Sequence, residues 1–106
     1  MSKYSSTKFF YARKDEDESV AFPVESIRSI HMTSATNLMI QYEPFAGAAT
    51  HTGDVSLTIT EGKSEEVIRS IINAGRSSRN LFIVIADDTD KVYVNSNISA
   101  VVSPAE

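Results

Sequence analysis

Apolar positions recur with a period of two along most of this chain and once with a period near 3.6. Residues 8–13 read K-F-F-Y-A-R, an aromatic strand-like run, and the charged stretch K-D-E-D-E-S closes it as a turn. Residues 19–33 carry V-A-F and then the alternating I-R-S-I-H-M, with Pro23 between them. Proline has no N–H to give a ladder in mid-sheet, so Pro23 marks an edge or a bend. A further strand is predicted over 38–43 (L-M-I-Q-Y-E), followed by a small, glycine-bearing loop over 44–53. In 54–60 the alternation puts Val55, Leu57 and Ile59 on one face of a half-buried strand.

One segment changes period. Val67, Ile68, Ile71 and Ile72 fall on one helical stripe, with Arg69, Ser70 and Asn73 off it. Ser64 suits the N-cap, Glu65 and Glu66 the positive end of the helix dipole, and Gly75 with Arg76 the other end. Ten residues make too short a helix to stand alone in water, so the stripe is expected to pack on a sheet.

After the helix, 81–86 (L-F-I-V-I-A) is continuously apolar and predicts a central strand, and D-D-T-D at 87–90 predicts a hairpin turn. The chain then runs through 91–104, a β-branched strand, a polar bend and a second β-branched strand, predicted to hold the sheet together at its edge. The order β-β-β-β-α-β-β lacks the alternation of parallel βαβ units. The expected fold is mainly β with one helix inserted between strands, in a small closed or partly closed bent-strand barrel. A weak internal echo fits it: F-P-V-E-S-I-R-S-I (22–30) parallels Y-V-N-S-N-I-S-A-V (93–101), as two barrel corners would.

Length and composition narrow the class. With 106 residues, 42% apolar and 23% charged, a single globular domain over 1–106 is expected, its first seven residues frayed. The absence of cysteine excludes disulfides, thiolate catalysis and cysteine-bearing zinc sites. The longest apolar run is far too short to cross a bilayer, and the first residues lack the apolar centre of a signal peptide, so a cytoplasmic protein with no membrane partner is expected. A net charge of −4 argues against the diffuse basic field of a non-specific nucleic-acid binder, so any such site must be local.

Catalytic signatures fail on inspection. Glu61-Gly62-Lys63-Ser64 ends like a phosphate loop, but the first glycine of that motif would fall at Leu57 inside a strand. His31 and His51 make no zinc set, and no nucleophile elbow orders the serines, histidines and aspartates. No enzyme activity, cofactor or metal is therefore expected, and the acidic runs at 15–18 and 87–90 read as solvated turns.

Two places carry more information. Y-E-P-F-A-G, 42–47, brings Tyr42 and Phe45 to a strand end, and V-N-S-N-I, 94–98, puts Asn95, Ser96 and Asn97 at the bend of the last ribbon. An exposed ring that stacks on a base and amides that read its edge would make a reader of single strands. Loop packing by Phe45 and turn geometry from the amides explain the same residues.

At these residues the chain resembles the Sm and Sm-like proteins, small bent-strand barrels that assemble into RNA-binding rings. K-V-Y-V-N-S-N-I-S-A-V-V-S looks like their second motif and Y-E-P-F-A-G like their first. The resemblance puts Glu43 at the family's acid position and Phe45 at its base-stacking position. Gly47 falls at the Asn position, and Asn95 and Ser96 at the Arg-Gly bend. It implies a homo-oligomeric ring binding single-stranded RNA or DNA in a processing or chaperone role, with Arg76 and Arg79 holding phosphates. The family's helix precedes its barrel, whereas here the helix lies between strands. The chain also looks like small proteins of marine phages, which implies an alternative: a structural or accessory assembly module with no nucleic-acid role, acting in the host cytoplasm.

Overall fold

In the computed structural model, which describes residues 8–43, 53–77 and 79–103, the alternating runs form eight strands and the 3.6-period run forms one helix. Strands β1 (Phe9–Asp15) and β2 (Glu18–Pro23) form a hairpin whose tip is the acidic turn. A single 3-10 turn, Val24–Ser26, leads into β3 (Ile27–Met32), and β4 (Asn37–Tyr42) and β5 (Gly53–Ile59) continue antiparallel from it. Helix α1 (Ser64–Ser77) follows, then β6 (Phe82–Asp87), the short β7 (Val92–Tyr93) and β8 (Ile98–Ser103).

These strands make two four-stranded sheets, in the orders β2-β1-β6-β7 and β3-β4-β5-β8, called sheets A and B below. The apolar run 81–86 is internal, as expected, flanked by β1 and β7. Its pairing with β1 is parallel, with Phe9 opposite Phe82 and Tyr11 opposite Val84. Because about two-thirds of the chain separates these strands, no local βαβ pattern announces the pair.

The hydrogen-bonded ladders among the described residues form two sheets and no closed barrel. The two sheets are joined by the chain itself, at two corners. β2 is an edge of sheet A and β3 an edge of sheet B, joined through Val24–Ser26; β7 and β8 are the opposite edges, joined through residues 94–97. These are the two segments that echo each other in sequence, and a strand that changes sheet at a bend is how two packed sheets share a corner. Each corner bonds to both sheets. Val24 N–H donates to Lys8 C=O and Glu43 N–H to Ser26 C=O, while Val94 N–H donates to Ile85 C=O and Thr60 N–H to Asn97 C=O. Pro23 thus sits on an edge strand at a bend, where its missing N–H costs no ladder bond.

The inward faces of both sheets and one face of α1 meet in a single core. Phe10, Phe22, Leu38, Ile40, Leu57 and Ile85 are among its fully buried side chains. Phe22 stacks on Tyr42 with ring centroids 4.2 Å apart and planes at 2°, and Phe10 meets Phe22 edge-on at 6.0 Å. A Cβ on Gly53 would land inside the Tyr42 ring, so only glycine lets β5 pass beneath it.

The helix differs from expectation at both ends and on its stripe. Its first intrahelical bond runs from Val67 N–H to Lys63 C=O, which makes Lys63 the cap and puts Ser64 in the first turn. Gly62, at φ +84° in the turn closed by Lys63 N–H to Thr60 C=O, supplies the left-handed residue that the turn needs. Gly75 does not end the helix, which runs on to Ser77. A Cβ there would lie 3.0 Å from both Phe10 and Val24, so the glycine marks close docking on the first corner. Of the stripe, Val67 and Ile71 are fully buried, each stabilising by about 2 kcal/mol, whereas Ile72 is half exposed.

Candidate functional site

The residues predicted to read nucleic acid are placed by different parts of the fold. Tyr42 is buried in the aromatic stack. Phe45, Gly47 and His51 lie outside the described residues. The bend amides face the helix: Asn95 Nδ2 donates to Ser70 Oγ at 2.7 Å and Asn97 Nδ2 to Glu66 Oε1 at 3.2 Å. Asn95 Oδ1 accepts from the Asn97 backbone N–H at 2.8 Å and from its side-chain amide at 3.1 Å. Ser96 is exposed between them. Arg76 is at the opposite end of the helix, ten residues from Glu66 or about 15 Å along the axis, so the bend and this arginine are not neighbours. Arg79 is exposed just before β6.

Asp87 and Asp88 of the acidic turn at 87–90 are built inward rather than solvated, while Asp90 is exposed. Asp87, 4% exposed, accepts from Arg13 Nε and Nη2, both at 2.9 Å, and from the backbone N–H of Thr89 and Asp90. The Arg13 guanidinium holds the Asp87 carboxyl below its ordinary value, against the opposing effect of burial. Asp88 accepts the Tyr93 hydroxyl at 2.7 Å and, through its other oxygen, the Val101 N–H at 3.0 Å. Burial, reinforced by that bond to Asp88, pushes the Tyr93 hydroxyl up to about 12. Through Asp88 the hairpin of sheet A is tied to β8 of sheet B. Among the described residues no three potential metal ligands converge.

On the outer face of sheet B, Ser29 Oγ lies 2.9 Å from His31 Nδ1 and also donates to Gln41 Oε1. His31 is exposed there, and an amide, not a carboxylate, is the other neighbour of the serine.

The feature not anticipated from the sequence is the outer face of sheet A. Phe9 (37% exposed) and Phe82 (54%) are directly paired, Tyr11 lies against Phe82 with ring centroids 4.9 Å apart, and Val84 and Val92 extend the same apolar surface. Phe9 N–H donates to Leu81 C=O, which fixes the strand ends side by side. Charge is mixed at the ends of this face. Arg79 precedes the Phe82 end in the chain, and the acidic turn of residues 15–18 lies at the other end with Lys14, Asp90 and Lys91, while the Lys8 amine reaches the Gly75 carbonyl on the helix side. Arg13, on the same face, is neutralised by Asp87 and Asp90. Alternation in K-F-F-Y-A-R showed aromatics on both faces of β1; only the pairing shows which ring pair is left outside.

Comparison with known proteins finds no matching family model, no matching curated protein and no matching solved structure.

Proposed function

We propose that this chain is a non-catalytic assembly module that associates with a second copy of itself through the outer face of sheet A. The observation that carries the reading is the exposed Phe9–Tyr11–Phe82 cluster on the outer face of sheet A. Contiguous exposed apolar surface of this kind marks an interaction site. A twofold axis through its middle would lay the exposed rings and valines of one copy against those of the other. The face is thus complementary to itself, as an isologous interface requires. Three strands of six or seven residues and the two-residue β7 project to roughly 300 Å² per copy, below the size of standard interfaces, so a weak, transient dimer is expected. Sedimentation of the purified chain over a concentration series tests this, with Phe82→Asp as the variant.

A second reading keeps the Sm-like ring that binds single-stranded RNA or DNA. Supporting it are strands that switch sheets at corners and an exposed ring pair, which suits base stacking, with Arg79 close by in the chain. Net negative charge and the engagement of Asn95 and Asn97 with the helix favour the first reading. Salt-dependent binding of a labelled oligonucleotide, lost in Tyr11→Ala and Phe82→Ala, would reverse that preference.

A further inference from the structure

On the side of the molecule where α1 docks on the first corner, an apolar groove of about 390 Å³ runs between the helix and β3. Ile27 and Ile30 form one wall, Ile68 and Ile72 the other, and Phe10 the floor. This volume falls within the roughly 300–1,000 Å³ of small-molecule sites. Arg76 stands on the rim, exposed, and has no ion-pair partner among the described residues. A second cation stands by: Lys8 donates through Nζ to the Gly75 carbonyl at 3.4 Å, and Gly75 itself lines the groove. The walls are therefore hydrocarbon and the charges at the rim positive.

From this complementarity we infer that the groove binds a single-chain amphiphile with an anionic head, its tail along the isoleucines and its head against Arg76. The inference is independent of self-association, because the groove lies on the helix side of β1, at Phe10, and the assembly face on the other, at Phe9 and Tyr11. A linear tail suits a groove walled by isoleucines, and a guanidinium at the mouth donates to a carboxylate or phosphate in bidentate fashion. Half-exposed Ile72 gains cover that the fold alone does not give it.

The test is titration of the intact chain with monomeric dodecanoate, dodecyl phosphate and dodecylammonium, below their micelle concentrations, followed by methyl resonances of Ile68, Ile72 and Ile30. Both anions are expected to bind with shifts confined to the groove, at least tenfold more tightly than the cation. Arg76→Glu should remove that preference, and Ile72→Asp should abolish binding of all three while the thermal midpoint stays close to wild type. Both substitutions fall on exposed positions, so loss of fold will not mimic loss of site. Equal binding of cation and anion, indifference to Arg76→Glu, contacts from residues 1–7 filling the groove, adsorption only to vesicle surfaces, or no binding would each overturn the inference.

Discussion

Asn95 donates its side-chain amide to Ser70 Oγ across 2.7 Å, and through this bond the second corner of the fold is held to the helix. At its other end the helix meets the first corner, where Gly75 lies against Phe10 and Val24. The helix is a strap between the two places where the chain changes sheets. Asn95→Ala should therefore destabilise by about 1–2 kcal/mol, since it also strips an acceptor from the Asn97 N–H, whereas exposed Ser96→Ala should change little. Denaturant unfolding of the two variants separates this role from a purely surface one.

Gly53→Ala should be far more costly. Tyr42 is clamped between Phe22 and β5, so the added methyl cannot be accommodated by moving the ring alone. A loss of roughly 2–4 kcal/mol is expected from overpacking, read as a lowered denaturation midpoint.

Lys91 is the described non-glycine residue with a left-handed backbone, at φ 58°, and closes the turn between β6 and β7. Lys91→Gly should raise stability by about 0.5–1 kcal/mol, because glycine carries no Cβ penalty there, offset in part by its freer unfolded chain. An unchanged or lowered thermal midpoint would contradict this account of the turn.

The carboxylate clasp sets pH limits at both extremes. Tyr93 has its hydroxyl raised from 10.0 to about 12, so its contribution is present below pH 10 and lost as pH rises between these values. Asp87 is lowered from 3.8, so its contribution is present above that value and lost as pH falls through the depressed one. Asp88→Asn should bring the Tyr93 hydroxyl part of the way back toward 10, because burial, the larger cause, remains. Ring resonances of Tyr93 followed through an alkaline titration read this directly.

The strands, the helix and the hairpin after β6 were legible because each rests on local periodicity or turn chemistry. The echo between Phe22–Ile30 and Tyr93–Val101 also had a physical cause, now seen as two equivalent sheet-to-sheet corners. Three things were not legible. The parallel pairing of Phe9 with Phe82 joins residues most of the chain apart. Gly75 signals a helix end in sequence, yet the same missing Cβ serves close docking, and only the neighbours Phe10 and Val24 decide between the two. Asp87 and Asp88 read as solvated because their donors, Arg13 and Val101, come from distant strands. The candidate site followed the same rule: alternation marks two faces of β1 without saying which is covered.

Sedimentation equilibrium of wild type against Phe82→Asp tests the assembly reading most directly. A weak reversible dimer is predicted for wild type, and a monomer at every concentration for Phe82→Asp. A wild-type chain that stays monomeric at millimolar concentration, or a Phe82→Asp chain that dimerises equally well, would contradict it.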